Sequence, residues 1–218
     1  MKRCSYAVFT LSLVSFLFIH WVSTFKHPQL SKLPFHSTKV KIVDDRTELV
    51  RFLPTKARVL ELGVRDAKYA FEILQESSKL SRKIHYTGID SWSSGTHTVN
   101  EYALAFKKLK IFEAQSTIIR CTFEEAVNFF EKEYFDFIYI DGFAETGEEK
   151  GETFKLWWPY LKSGGLFAGH DYASSKYPLV TKYLDIFKSA NAPNQVLYVT
   201  KEGDDSNDRE KSFYFIKP

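Results

Sequence analysis

Five short apolar runs in this chain end on residues able to do chemistry, and four of the five carry a carboxylate there. "ARVLELG" holds Glu61 and Gly63, and "IHYTGID" ends at Asp90. "STIIRC" ends at Cys121 with Thr122 next, "FDFIYIDG" stops at Asp141, and "GGLFAGHD" closes on His170 and Asp171. Carboxylates accept hydrogen bonds from hydroxyls, hold divalent cations through oxygen, and take protons when burial raises their pKa. A single Asp at such a place is as readily a helix N-cap or the polar stop of a buried strand. A row of them is harder to explain that way. The stretch "FDFIYIDGFAETGEE" concentrates the question, with Asp141 followed by Glu145, Glu148 and Glu149.

The segments between these runs must position them. "AKYAFEILQESSKL", "NEYALAFKKLKIF", "FEEAVNFFEKE" and "ETFKLWWPYLK" have helical periodicity. Strands alternating with such helices predict right-handed crossover units and an α/β fold, Rossmann-like, with a mostly parallel sheet and helices on both faces. After the helical "PLVTKYLDIFKSAN" the alternation stops. "QVLYVTKE" and "KSFYFIKP", joined by the polar "GDDSNDRE", predict a C-terminal antiparallel hairpin closing one edge. Ahead of the first run, "DDRTELVRFLP" offers Asp44 or Asp45 as N-cap of a short helix that Pro54 stops. Open sheets of this kind bind ligands outside the carboxyl ends of their strands, where the acids fall.

The first turn, "VLELGVRDAKYA", has one glycine, and Ala67 stands where another would be expected. A dinucleotide site needs G-x-G-x-x-G to cradle pyrophosphate, so a nicotinamide-dependent oxidoreductase fails on this pattern. Glu61 repels phosphate and attracts a cation, which favours a phosphate-free ligand with a cationic centre. Asp90 is suited to a bidentate contact with both hydroxyls of a ribose.

On the E-x-G turn, "TGIDSW" and "DFIYIDG…WWPYLKSGGLFAGHDY", the chain from about Lys41 to Pro218 resembles class I S-adenosylmethionine-dependent methyltransferases. The last stretch is similar to the macrocin-type O-methyltransferase branch. The resemblance implies that S-adenosylmethionine lies with its methionine part on Glu61, Gly63 and the turn through Ala67. Its ribose would lie on Asp90, its adenosine between Ser91 and Trp92, and its adenine against Thr122 and Phe123. Asp141 and Asp171 match acidic positions that bind Mg2+ in some members, with His170 beside them. Relatives continue I-D-G-x-H, the histidine being a natural base; Ala144 stands there, and Glu145 is the carboxylate able to replace it. The implied catalytic set is Asp141, Glu145 and His170, and the implied activity is O-methylation of a small hydroxylated acceptor, glycans included. The missing histidine keeps open an alternative, a non-catalytic binding protein that retains the fold.

At 218 residues with 44% hydrophobic content, one domain with a sizeable core is expected. A net charge of +3 with no Lys/Arg block gives no reason for a nucleic-acid partner. The two cysteines, Cys4 and Cys121, have no zinc-ligand spacing, and an internal disulfide between them is not expected. Lys2 and Arg3 precede an apolar stretch from Tyr6 to Phe25, long enough for a bilayer-spanning hydrophobic helix of about 20 residues. Residues 1–25 are therefore expected to be a signal-anchor or a cleaved signal peptide, 26–40 a linker, and 41–218 the folded domain. Basic residues on the short side favour a cytosolic N-terminus. That places the domain in the secretory-pathway lumen as a single-pass membrane protein, or secreted. The expected partners are a small-molecule or glycan acceptor and the membrane.

Overall fold

The structure is a computed structural model, in which residues 5–7, 41–93, 97–201 and 210–218 are described, the first three by backbone only. Eight strands form one sheet: β1 Ser5–Ala7, β2 Arg58–Leu62, β3 His85–Asp90, β4 Ser116–Arg120, β5 Phe135–Ile140, β6 Leu161–Tyr172, β7 Tyr198–Val199 and β8 Lys211–Ile216. Their spatial order is β1-β4-β3-β2-β5-β6-β8-β7. Strands β4, β3, β2, β5 and β6 are mutually parallel, while β8 runs antiparallel to both β6 and β7. Strand order therefore reverses at β2, which lies between β3 and β5.

The register puts the chemistry in one row. Leu62 pairs with both Ile89 and Ile140, and Ile140 pairs with Gly169. The next residues along these strands are Gly63, Asp90, Asp141 and His170, so all four stand on the carboxyl rim at the reversal point. β2 and β5 are buried on both faces, which is why they read as near-continuous apolar runs rather than alternating ones.

Helices cover both faces. On one, α1 (Lys68–Lys79) and α2 (Val99–Leu109) pack with a 3-10 helix, Arg46–Phe52, through Tyr69, Ile73, Leu109 and Leu49. On the other, α3 (Phe123–Ala126), α5 (Glu152–Trp157) and α6 (Pro178–Asn191) bury Phe123, Phe154, Trp157, Leu184 and Phe187. Each fully buried aromatic or Leu contributes roughly 1.5–3 kcal/mol, which makes these faces the bulk of the stability. Asp45 caps the 3-10 helix by accepting the Thr47 N–H at 2.7 Å, and that helix stops one residue before Leu53-Pro54.

Five features differ from the sequence reading. The helix after Thr122 is a single turn of α-helix continued as 3-10, and the terminal hairpin's first strand is only two residues long. Between β5 and α5, the short helical turn α4 (Gly147–Lys150) is left-handed. Gly147, Glu148, Glu149, Lys150 and Gly151 have φ of 67, 54, 51, 57 and 82°. Cys121 is disulfide-bonded rather than unpaired, its partner lying outside the described residues. Finally, Ser5–Ala7 is extended and pairs antiparallel with β4, where the expected hydrophobic helix would already have begun at Tyr6. The remainder of that segment and the 26–40 linker lie outside the described residues. Among the described residues no helix is long and apolar enough to cross a membrane.

Candidate active site

A cavity of about 820 Å3 opens on the carboxyl rim, lined by Glu61, Gly63, Asp90, Ser91, His97, Thr122 and Phe123 on one side. Asp141, Ala144, Glu145, His170, Asp171 and Arg46 line the other. Ten of the eleven residues singled out from sequence therefore converge there. The eleventh, Trp92, does not. It is fully buried, its indole N–H donates to the Arg65 carbonyl at 2.7 Å, and its ring packs on Tyr102. A positive φ of 44° at Trp92 turns the side chain inward, so it braces the turn after β2 from behind.

That turn is built around Gly63, whose φ is 91°. A Cβ there would lie 1.9 Å from the Asp141 carbonyl oxygen, so only glycine fits. Arg65 and Ala67 also adopt left-handed backbone, φ 51° and 60°. Ala67 occupies the N-cap of α1 without a side-chain hydrogen bond, the place where sequence suggested a glycine. Behind the turn, Glu61 is 2% exposed and accepts a hydrogen bond from the Tyr86 hydroxyl. Burial holds its pKa well above the ordinary carboxylate range, the Tyr86 bond acts the other way, and Asp141 pushes it up again. A cationic ligand in this cavity would stabilise the ionised form.

Asp90 lines the cavity and also holds the backbone around it. Its Oδ2 accepts from the Val64 and Arg65 N–H groups, each at 3.0 Å, and faces His97 Nδ1 at 2.5 Å. Its Oδ1 accepts from the Trp92 N–H at 2.8 Å. The carboxylate is 3% exposed and ties the β2 turn to the β3 end. Ser91 is half-buried and bonded to Ser93. Thr122 caps α3 in a reciprocal box with Glu125, and Phe123 stands edge-on to Phe143, ring centroids 5.3 Å apart, as an apolar wall.

On the opposite side Asp141, His170 and Asp171 each offer a ligand atom within 4.8 Å of the other two. His170 Nδ1 lies 3.2 Å from Asp171 and 3.8 Å from Asp141. Neighbours on a strand normally face opposite ways. Here the β6–β8 register shifts between Gly169 and Tyr172, and Asp171 has φ 60°. That bulge brings both side chains to one rim. Arg46, which sequence reasoning missed, reaches in from the 3-10 helix. Its guanidinium stands 3.6 Å from Asp141 Oδ2, donates to the Tyr139 hydroxyl at 3.3 Å, and lies over Tyr69.

Glu145 was expected in a partly dry pocket, but it is exposed at the cavity rim. The buried carboxylate is Glu148, 3% exposed, which the left-handed turn aims back under the Asp141 loop. Both its oxygens accept from the Phe143 N–H at 3.2 Å. Burial pushes its pKa up to about 8, against the hydrogen bonds from Phe143 and Gly142. Gly147 and Gly151 flank it, and that pair of glycines was the sequence signal available for this turn.

Residues 60–172 match a family described as a methyltransferase domain. No curated protein matches the chain. Similar solved structures include an O-methyltransferase from Bacillus cereus in complex with SAH, 12% identical at a TM-score of 0.55, covering 78% of each chain. An rRNA methylase from Streptococcus thermophilus is 11% identical at a TM-score of 0.55, over 78% of this chain and 91% of that one. A precorrin-6y C5,15-methyltransferase from Geobacter metallireducens is 12% identical at a TM-score of 0.55, over 79% and 85%. These likenesses establish the fold. The family match spans over half the chain, from β2 through β6 with every rim residue between, and on it the chain belongs to the methyltransferase-domain family, as an S-adenosylmethionine-dependent methyltransferase.

Proposed function

We propose that the protein is an O-methyltransferase of the macrocin-type kind, whose acceptor is a small hydroxylated molecule, glycans included. The observation that carries this is the convergence of Asp141, His170 and Asp171 on the same cavity as the Gly63 turn. S-Adenosylmethionine fits the residues present: a buried acid at Glu61, a turn closed to any Cβ at Gly63, and an aromatic wall at Phe123 and Phe143. When bound, the cofactor supplies an electrophilic methyl group on a sulfonium sulfur. The chain's own residues orient the acceptor hydroxyl and take its proton. His170, 91% buried with Nδ1 3.2 Å from Asp171 and 3.8 Å from Asp141, is the base this geometry favours, because both acids hold its ring at the rim. Glu145, exposed at the rim, is left to contact the acceptor.

The donor set of Asp141 and Asp171 with His170 also fits a divalent cation. The two carboxylates and the imidazole nitrogen would supply at most three of its ligands, water completing the set, and its charge would help ionise a hydroxyl. Arg46 already offsets part of the Asp141 charge. The test is SAH formation from S-adenosylmethionine with catechol, phenol and sugar acceptors. Turnover with at least one class supports the reading, and binding without any turnover returns it to the non-catalytic alternative.

For location, the proposal is that residues 1–25 carry the domain into the secretory pathway, on the strength of Lys2 and Arg3 preceding the apolar stretch. A chain spanning a bilayer from Tyr6 cannot also pair Tyr6 and Ala7 with β4. Protease protection of a C-terminal tag in intact microsomes decides between them, since digestion of the tag contradicts translocation.

A further inference from the structure

We propose that Glu148 is a positioning residue: from beneath the loop after β5 it fixes the backbone of Phe143, and so sets where the Phe143 ring stands in the cavity wall. The inference rests on the reading above that the cavity takes S-adenosylmethionine against Phe123 and Phe143. Glu148 does not itself line the cavity, so it acts only through its neighbours. The loop is held from two sides. On the β2 side, the Asp141 N–H donates to the Leu62 carbonyl at 2.8 Å, and the Asp141 carbonyl packs on Gly63. Beyond Asp141 the support comes from Glu148. The Phe143 N–H donates to its carboxylate oxygens at 3.2 Å, and the Glu148 N–H donates back to the Phe143 carbonyl at 2.9 Å. Both backbone polar groups of Phe143 are therefore bonded to Glu148.

The ring carried by this clamp reaches the cavity. Phe143 is 37% exposed and stands edge-on to Phe123. Phe123 in turn lies so close to Gly142 that a Cβ there would meet its ring at 2.6 Å. Carboxylate, loop backbone and both rings form one chain of contacts. The fold also accepts two unfavourable terms to keep the carboxylate in place. Glu148, Glu149 and Lys150, none of them glycine, hold left-handed backbone. Gly147 before them is packed on α6, where a Cβ would lie 2.5 Å from the Leu179 carbonyl oxygen. Strain of this kind persists where the surroundings over-determine it, and it clusters at ligand sites. The second term is desolvation, since an acid 3% exposed loses hydration that an apolar side chain would never have had. What both terms secure is an acceptor under the Phe143 N–H.

The test is calorimetric titration of the purified full chain with SAH. Wild type is compared with Glu148→Gln, Glu148→Leu, Phe143→Ala and the double variant Glu148→Leu with Phe143→Ala. Gln keeps an acceptor oxygen for the Phe143 N–H. Burial already pushes the Glu148 pKa up to about 8, so near neutral pH the amide replaces a neutral acid. Glu148→Gln should therefore bind SAH like the wild type. Glu148→Leu and Phe143→Ala should each bind about tenfold more weakly. The double variant should also lose about tenfold rather than about a hundredfold, because both changes remove the same contact. Wild-type SAH affinity in Glu148→Leu overturns the assignment. So does a double variant at the hundredfold product, which would give Glu148 a part independent of Phe143. If Glu148→Leu does not fold, Glu148→Asp, whose acceptor falls one methylene short of Phe143, takes its place under the same criteria. A wild type that does not bind SAH defeats the cofactor reading itself, a result distinct from both.

Discussion

The carbonyl of Asp141 packs so closely on Gly63 that a Cβ at position 63 would sit 1.9 Å from its oxygen. The turn after β2 and the strand end after β5 are thus packed directly against each other. Gly63→Ala has nowhere to put its methyl group and must also hold a φ of 91°. Overpacking and left-handed strain together cost about 3 kcal/mol. Thermal melting should fall by roughly 10 °C, and SAH affinity should fall with it. A variant that melts and binds like wild type would mean the turn is looser than this contact implies.

The cation question has a direct answer in the Asp141–His170–Asp171 cluster. If magnesium is used, Mg2+ should bind the wild type measurably and Asp171→Asn at least tenfold more weakly, with turnover restored by excess metal in the wild type only. Turnover unchanged by exhaustive chelation would assign charge neutralisation to Arg46 and His170 alone.

How much of this was legible beforehand follows from physics at particular residues. Strand ends are read from the abrupt change at Glu61, Asp90 and Asp141, because buried parallel strands must be apolar until they reach the rim. The alternation of strands and helices then places those ends together. What was hidden depends on backbone sign and on distant chain. The bulge that brings His170 and Asp171 to one rim, the inward turn of Trp92 and the left-handed residues around Glu148 are set by φ values that side-chain type hardly encodes. Arg46 opens a short helix far along the chain from the strand ends, His97 lies just ahead of α2, and only tertiary packing brings them to the cavity.

Glu61 makes cofactor affinity depend on pH. Burial raises its pKa in the ligand-free protein, and a bound cation lowers it again, so binding releases a proton. Affinity for S-adenosylmethionine should therefore rise with pH until Glu61 is ionised without ligand. Glu61→Gln should flatten that rise and weaken binding about tenfold at high pH. Parallel profiles in both proteins would remove Glu61 from the cofactor site.

Glu148 makes stability depend on pH in the opposite sense to a salt-bridged acid. Its folded pKa of about 8 lies above the ordinary 4.5, so the folded state holds the proton longer than the unfolded state. Its contribution is fully present below the unfolded value and is lost as pH rises toward 8. The melting temperature of Glu148→Gln relative to wild type should therefore climb by several degrees between pH 5 and pH 8, on the order of 1–2 kcal/mol for a residue so placed. A constant difference across that range would show that Glu148 does not titrate in the fold.

Asp141→Asn divides binding from chemistry, since the proposed function puts Asp141 in the reacting cluster and the cofactor on the turns after β2 and β3. SAH titration with single-turnover methyl transfer on the same preparations is the most direct measurement of the account. The expected result is one SAH site of nearly equal affinity in wild type and Asp141→Asn, with the methyl-transfer rate down by about 100-fold or more in the variant. No SAH binding by the wild type, or an Asp141→Asn rate equal to wild type, would contradict it.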